Sequence, residues 1–304
     1  MPGEFLNTKE AARYLEIHEK QVYALIKAGK IPATRVTGKW IFPKKLLDEW
    51  IESTARDSLK RARKKSGRVE GALLASGSND PVLDFLMTAL RRDHPEFIIF
   101  SSNTGSTQGL RALGDGYTDI AWSHLLDPQS GEYNKPFLSA LEEISPVLIH
   151  LFRRSVGLVV RPGNPSGILG FEDLVRGDVR FINRQRGSGT RKLLDYHLER
   201  LGLDTEKIAG YKDEAFTHME VGLAVLSGEA DAGLASVAIS RLLGVGFIPV
   251  ARESFDMIVG RSTFFEKGVQ ALIETLRSDK FRRKMTGLAD YGFEDTGKIL
   301  YSAV

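Results

Sequence analysis

The sequence contains no cysteine among its 304 residues. That excludes disulfide bonds, a thiol nucleophile, a cysteine-linked cofactor and cysteine metal ligands. The six histidines show no paired metal-ligand spacing, so we expect no bound metal cation and no resident cofactor. The first 25 residues have no apolar core of a secretory signal, and the longest apolar runs are too short to span a membrane. We therefore expect a cytoplasmic protein with no membrane partner.

Positive charge is concentrated at one end of the chain. Residues 1–70 carry 16 Lys and Arg against nine Asp and Glu, whereas the remainder carries 26 against 30. A basic head on a mildly acidic body is typical of a protein whose head binds nucleic acid. Because a solvated basic surface gives the same counts, charge alone does not decide between the two.

Residues 1–52 have the pattern of a winged helix-turn-helix domain. Asn7 or Thr8 begins a first helix, and a second helix from Glu19 to Ala28 ends at Gly29. A ribbon of two short strands follows, and Pro43 opens a third helix over residues 44–52. Lys20 and Gln21 lie near the start of the second helix, where base edges can be reached.

Three segments of this head resemble the excisionase/MerR type of DNA-binding family: Leu6-Asn7-Thr8-Lys9-Glu10-Ala11-Ala12, Val22-Tyr23-Ala24-Leu25-Ile26-Lys27-Ala28-Gly29 and Gly38-Lys39-Trp40. The resemblance implies that the second helix enters the major groove and the ribbon touches the flanking backbone. The expected contacts with double-stranded DNA are Arg13, Lys20, Gln21, Tyr23, Lys27, Arg35 and Lys39. Residues 53–70 form a basic linker, either a tether that adds non-specific DNA affinity or a continuation of the third helix.

From residue 71 the sequence alternates strands and helices in a βαβαβ pattern, which predicts a parallel sheet. Three of the predicted strand ends carry the same chemistry: Ser76-Gly77-Ser78, Thr104-Gly105-Ser106 and Gly187-Ser188-Gly189-Thr190. Ligands of open α/β sheets bind at the carboxyl ends of strands. Hydroxyls, free amides and helix starts together favour a small anion in a cleft there.

Two further segments, 147–162 and 247–259, each hold a pair of apolar strands, the first pair split by Arg153-Arg154-Ser155. We expect the chain to cross between two lobes at these points. The predicted domains are the winged helix-turn-helix at 1–52, the linker at 53–70 and a bilobal ligand-binding domain at 71–304. In that domain lobe I comprises 71–155 and 252–304, and lobe II comprises 156–251.

Region 71–304 resembles the type II periplasmic-binding-protein superfamily, in the branch fused to helix-turn-helix domains, and looks like a relative of molybdate- and tungstate-binding proteins. The resemblance rests on the three hydroxyl-rich loops and on Arg184, four residues before Ser188-Gly189-Thr190. It implies that Arg184 is the ligand arginine. The expected fold class is α/β, an N-terminal winged helix-turn-helix plus a bilobal domain of this type. The expected ligand-binding residues are Ser76, Ser78, Thr104, Gly105, Ser106, Arg184, Gly187, Ser188, Gly189 and Thr190.

These features predict a one-component, homodimeric transcription regulator that senses a small oxyanion, molybdate or tungstate, between its lobes. The alternative ligands are a small organic acid or a phosphorylated metabolite, and a recombination accessory protein is a further alternative. The sequence has no Gly-x-Ser-x-Gly elbow and no His–Asp pairing with obvious spacing. We therefore expect no enzymatic activity and no catalytic residues.

Overall fold

A computed structural model of the protein describes residues 4–52, 54, 71–285 and 290–303. The chain divides into two compact units, Met1–Glu70 and Gly71–Val304. The linker predicted at 53–70 lies outside the described residues, apart from Thr54. None of the helices in the described ranges has both the length and the apolar composition that crossing a bilayer requires.

The first unit has the predicted order of helices and ribbon, with one additional strand. Its elements are β1 (Phe5–Leu6), α1 (Thr8–Tyr14), α2 (Glu19–Lys27), β2 (Thr34–Val36), β3 (Lys39–Pro43) and α3 over residues 44–52. β3 pairs with both β2 and β1, so the ribbon is a three-stranded antiparallel sheet. Two residues show no periodicity, which is why β1 could not be predicted.

Local capping and a small apolar core hold this unit together. Asn7 begins α1 with a capping box: its side chain accepts the Glu10 amide at 3.0 Å, and the Glu10 carboxylate accepts the Asn7 amide at 2.8 Å. Gly29 follows α2 with φ of +63°, a conformation that favours glycine. Buried side chains from α1, α2, α3, the sheet and the connection between α2 and β2 form the core: Leu6, Ala11, Ala12, Val22, Ile31, Phe42 and Leu47.

The second unit is built on one mixed sheet. In chain order its elements are β4 (Ala72–Gly77), α4 (Pro81–Asp93), β5 (Ile98–Asn103), α5 (Ser106–Gly114), β6 (Ile120–Ser123), a 3-10 helix (Lys135–Ile144), β7 (Pro146–Val160), a 3-10 helix (Phe171–Val175), β8 (Phe181–Arg184), α6 (Gly189–Arg200), a 3-10 helix (Thr205–Lys207), β9 (Glu214–Ala215), α7 (His218–Ser227), β10 (Ala232–Ser236), α8 (Val237–Leu243), β11 (Gly246–Gly260), α9 (Arg261–Phe264), α10 (Lys267–Arg277), α11 (Asp279–Met285), β12 (Tyr291–Gly292) and β13 (Ile299–Ser302). The strand order is β5-β4-β6-β11-β7-β10-β8-β9, with β12 and β13 also paired to β7.

Two parallel groups of strands flank a long antiparallel pair. β4 runs parallel to β5 and β6, and β8 runs parallel to β9 and β10. β7 and β11 lie between the groups and pair with each other from Val160–Gly246 to Pro146–Gly260. The βαβαβ prediction is confirmed for β4 to β6, and β5 ends at Asn103, directly before the predicted strand-end loop Thr104-Gly105-Ser106.

β7 and β11 differ from the sequence prediction. We expected each segment to hold two strands, but each forms one strand of 15 residues. Arg154 does not break β7, because it lies opposite Glu253 of β11 and the two side chains pair. Charge at the middle of this apolar strand is therefore compensated by the neighbouring strand.

The ends of the long pair enter different cores. Residues 147–149 of β7 pair with β13, whereas residues 156–160 pair with β10. One core contains Leu86, Phe152, Met257 and Leu272, and we call the part built on β4, β5 and β6 lobe I. The other cores contain Leu158, Phe181, Leu194, Val221 and Ile239, and we call the part built on β8, β9 and β10 lobe II. The polar middle of β7 and β11 lies between them.

Candidate functional site

The hydroxyl-rich loops of lobe I lie at the carboxyl ends of parallel strands and contact each other. Ser78 follows β4 and Ser106 begins α5, and their hydroxyl oxygens are 2.7 Å apart. Ser106 Oγ also accepts the amide of His124, just after β6, at 3.2 Å. Gly105 permits this turn because its φ is +80°, in the region that favours glycine. Ser76 is placed differently, since its hydroxyl lies 3.4 Å from that of Thr118.

The third loop, in lobe II, packs directly against lobe I. The Thr107 amide donates a hydrogen bond of 3.2 Å to the Gly187 carbonyl. A Cβ atom on Gly105 would lie 3.2 Å from Ser188 Cα, and one on Gly189 would lie 2.6 Å from His124 Cε1. Only glycine leaves room for this approach, so the loops of both lobes meet at one place and the lobes are closed.

Arg184 is the last residue of β8 and stands in the segment that leads into the third loop. Its side chain is buried, with 3% exposed. Nε donates to the Ala215 carbonyl and to Gln185 Oε1, each at 3.2 Å, and Nη2 donates to the Phe216 carbonyl at 2.8 Å. Nη1 has no hydrogen-bond partner, and among the described residues no carboxylate forms an ion pair with it. The guanidinium is held rigidly and keeps one unused donor nitrogen.

The pKa of Arg184 also indicates that its buried charge is poorly compensated. Burial, and after it the positive charge of Arg154, lower the pKa of Arg184 to about 9, although Glu220 and Glu253 oppose the shift. The group is still a cation at neutral pH, but the buried charge is poorly compensated. A buried charge without a counter-ion is costly, and an anion placed at Nη1 would remove that cost.

The two other arginines of this loop have different surroundings. The side chain of Arg186 is 83% exposed. Arg191 donates to Asp195 at 2.9 Å and stacks on the ring of Tyr211 at 4.2 Å. Of the three, Arg184 alone keeps its charge available for a ligand inside the protein.

Several hydroxyls around Arg184 and the two loops also lack partners. The Oγ1 atoms of Thr104, Thr107 and Thr190 are buried and form no hydrogen bond with any described residue, and the same holds for Gln185 Nε2. Ser188 Oγ accepts the Arg191 amide at 3.1 Å as the N-cap of α6, so its proton is still free to donate. Because buried polar groups are normally satisfied, this concentration of free donors fits a polar ligand.

The structure therefore brings together most of the residues predicted to bind a ligand. Loop contacts join one group directly: Ser78, Gly105, Ser106, Gly187, Ser188 and Gly189. Arg184, Thr104 and Thr190 share buried, unused donors. The hydroxyl of Ser76 belongs to a separate pair. The binding role of all ten residues is still a prediction.

A buried charged network was not predicted from the sequence. Arg154 donates to Asp80 at 2.6 Å and to Glu253 at 3.0 Å, and Tyr291 donates to Asp80 at 2.9 Å. His124 Nδ1 lies 3.0 Å from Glu253 Oε1. The pKa of Glu253 is lowered, because the charges of His124 and Arg154 outweigh the opposing effect of burial. Arg154 and Glu253, charged residues at the centres of apolar strands, were the sequence signal for this network.

His218 is a second residue that the sequence did not reveal. It is the first residue of α7, it is 1% exposed, and its Nδ1 has no partner among the described residues. Burial lowers its pKa well below the usual value, and the charges of Arg184, Arg154 and His124 lower it further. His218 is therefore neutral and lies near the cations of the site. A single histidine without metal-ligand spacing gives no signal in a sequence.

In the first unit all seven residues expected to contact DNA are exposed: Arg13, Lys20, Gln21, Tyr23, Lys27, Arg35 and Lys39. Two of them also have local partners. Gln21 Oε1 accepts the His18 amide at 3.0 Å, and Arg35 Nε donates to the Gly38 carbonyl at 3.2 Å. Gln21 thus helps to cap α2 and keeps its amide nitrogen for other contacts.

Comparison with known proteins matches each of the two units to a known family of domains. A family model described as a PBP superfamily domain matches residues 87–277, and one described as a helix-turn-helix domain matches residues 5–55. The uncharacterized protein YvgK of Bacillus subtilis (strain 168) is 32% identical over an alignment of 300 residues, and the match covers 96% of each chain.

Two solved structures share the fold of the second unit. One is a protein described as a phosphate ABC transporter substrate-binding protein with bound phosphate, from Clostridium perfringens. It is 15% identical with a TM-score of 0.55 and covers 71% of this chain and 97% of its own. The other is described as the tungstate ABC transporter from Geobacter sulfurreducens. It is 16% identical with a TM-score of 0.53 and covers 72% of this chain and 100% of its own.

The predicted fold class is confirmed by these matches together with the sheet topology. The chain belongs to the family of proteins with the PBP superfamily domain, and it carries that domain behind an N-terminal helix-turn-helix domain.

Proposed function

We propose that this protein is a DNA-binding transcription regulator whose PBP-type domain closes on a small oxyanion, molybdate or tungstate. The observation that supports the proposal most strongly is Arg184. Its guanidinium is buried, is held by three hydrogen bonds to neutral oxygens, and keeps Nη1 without a partner in the described part of the chain. A cation in that state needs an anionic ligand, and a bidentate-capable guanidinium suits an oxyanion.

The class of ligand is inferred from the donors around Arg184. Free threonine hydroxyls and the amides at the starts of α5 and α6 offer many donors over a small space. A compact ion with oxygen on all sides can use them together. One solved structure of the same fold holds phosphate and another is described as a tungstate transporter, which is consistent with an oxyanion. A small organic acid would use only part of this donor set.

Binding would act on the arrangement of the lobes. Arg184 and α6 belong to lobe II and α5 belongs to lobe I, so an anion between them contacts both and stabilises the closed form. The head and this domain belong to DNA-binding and ligand-binding families. We infer that the protein binds DNA as a homodimer on two half-sites and catalyses no reaction.

Isothermal titration calorimetry of the full chain tests the ligand assignment. Molybdate, tungstate, phosphate, sulfate and citrate, a small organic acid, are titrated in turn. We expect molybdate or tungstate to bind at one site per chain. We expect Arg184→Gln to weaken binding by about 2–5 kcal/mol, because the anion is then buried without its counter-charge.

Arg186→Ala is the matched control, since Arg186 lies in the same loop and is exposed. Its affinity should equal that of the wild type within about twofold. Selective heat with phosphate or with an organic acid would move the assignment to the alternative ligands. Equal affinity in wild type and Arg184→Gln would remove Arg184 from the site.

A further inference from the structure

His218 is placed to be a second ligand of the anion. It begins the ten-residue helix α7, directly after the N-cap Thr217. Arg184 Nη2 donates to the Phe216 carbonyl, two residues before His218, so the guanidinium and the imidazole belong to the same corner of lobe II. His218 Nδ1 and Arg184 Nη1 are both buried and both without partners in the described chain. Two buried, unused nitrogens in one part of lobe II are hard to explain by packing alone.

The charged and titratable groups around His218 come from several elements. Arg184 from β8, Arg154 from β7 and His124 after β6 all act on its protonation. Arg154 is compensated by Asp80 and Glu253. Glu220, on α7 itself, is occupied by the Phe216 amide at 2.9 Å and the Thr217 hydroxyl at 3.1 Å. The surroundings of His218 therefore combine burial with the poorly compensated charge of Arg184.

An anion in the cleft would favour the protonated form of His218, which burial and the charge of Arg184 disfavour in the free protein. A molybdate ion brings two negative charges beside one free guanidinium, and each opposite charge within about 4–6 Å raises the pKa of a histidine. We propose that His218 takes up one proton from solvent when the anion enters, and that the resulting imidazolium donates a hydrogen bond to an anion oxygen. This inference rests on the proposed function, and it makes anion sensing depend on pH.

The direction of the pH dependence follows from the two states. In the free protein His218 is neutral because burial and Arg184 disfavour its charged form. In the complex the anion favours the charged form. A proton therefore binds together with the anion. As the pH rises from the pKa of His218 in the free protein to its pKa in the complex, the affinity for the anion falls by about tenfold per pH unit. Molybdate serves as the probe because it is fully ionised above neutral pH and contributes no proton change.

Calorimetry of the full chain with molybdate measures the proton directly. Titrations at pH 7.5 are repeated in two buffers that differ in their enthalpy of ionisation, and the difference in heat gives the number of protons taken up. We expect about one proton per anion for the wild type. We expect His218→Gln to take up almost none and to bind with an affinity that hardly changes between pH 7 and 8.5.

His94→Gln is the matched control. Asp80 of the charged network precedes the first residue of α4, whereas His94 follows its last residue, so this substitution should leave proton uptake unchanged. A wild type that binds molybdate without proton uptake would overturn the inference and leave the proposed function intact, and this needs no variant to fold. Uptake of a full proton by a folded His218→Gln protein would also overturn the inference and leave the proposed function intact. No heat with either molybdate or tungstate at any pH would overturn the proposed function and this inference together.

Discussion

At the scale of single residues, neighbouring hydroxyls in one loop have different tasks. Ser188 caps α6 through the Arg191 amide, whereas Thr190 Oγ1 is buried and bonds to no residue that the structure describes. The sequence alone assigned both to the ligand, because a Gly-Ser-Gly-Thr motif looks the same for a helix cap and for an anion site. Which oxygen is already occupied depends on side-chain geometry that a motif does not specify.

Thr190→Val and Ser188→Ala separate these tasks. Thr190→Val keeps the shape and removes a hydroxyl that bonds to no described residue, so we expect molybdate affinity to fall about tenfold with no loss of stability. Ser188→Ala removes the cap and should lower the free energy of unfolding by about 1 kcal/mol. Calorimetric titration and thermal unfolding of both variants provide the comparison. A Thr190→Val protein that binds normally but unfolds early would show that its hydroxyl is structural.

Arginines show how far residue-scale prediction could go. The Arg191–Asp195 pair has i,i+4 spacing, so the sequence could have excluded Arg191 as a free charge. The burial of Arg184 could not be predicted from the sequence. Its side chain is held by the carbonyls of residues 215 and 216, about thirty positions later in the chain. Only the resemblance to tungstate-type binders singled it out.

At the scale of elements, local patterns predicted the helices and most strands, and long-range pairing decided the rest. The strands and helices of residues 72–123 follow from periodicity and turn residues close in the chain. The continuity of β7 and β11 could not be predicted, because Arg154 and Glu253 are 99 positions apart. The two-residue strands β9 and β12 are too short to carry a pattern.

The contact between the lobes depends on one glycine in particular. A Cβ atom on Gly189 would lie 2.6 Å from His124 Cε1 and 2.9 Å from the His124 carbonyl, and the carbonyl is part of the backbone. We expect Gly189→Ala to hold the lobes apart and to weaken molybdate binding at least about tenfold. The measurement is calorimetric titration, with thermal unfolding to show that the variant is folded.

Gly177→Ala is the control for this substitution, because a Cβ atom on Gly177 meets nothing within 4 Å and its backbone is not in a glycine-specific conformation. It should bind molybdate like the wild type. If Gly189→Ala also binds like the wild type, lobe closure at this contact does not contribute to anion binding.

At the scale of the whole molecule, the composition already separated the two units. The excess of positive charge in residues 1–70 pointed to a DNA-binding head, and the helix-turn-helix match at residues 5–55 is in agreement. Alternating strands and helices identified the α/β class of the second unit. The closed contact between its lobes could not be predicted, because it joins Gly105 to Ser188, which are far apart in the chain.

The central claim is that an anion in the cleft changes the affinity of the head for DNA. Duplexes selected from a random pool by the wild-type protein are labelled, and binding is followed by fluorescence anisotropy with and without saturating molybdate. Lys20→Ala, a change at the exposed start of α2, should weaken DNA binding by about 1–3 kcal/mol in both conditions. Binding of two chains to one duplex would support the dimer.

For the wild type we predict that molybdate changes the DNA dissociation constant about 5- to 150-fold, the range of a coupling free energy of about 1–3 kcal/mol. For Arg184→Gln we predict the same dissociation constant with and without molybdate. A wild-type protein that binds molybdate in the cleft, yet holds its selected DNA equally tightly in both conditions, would contradict the account.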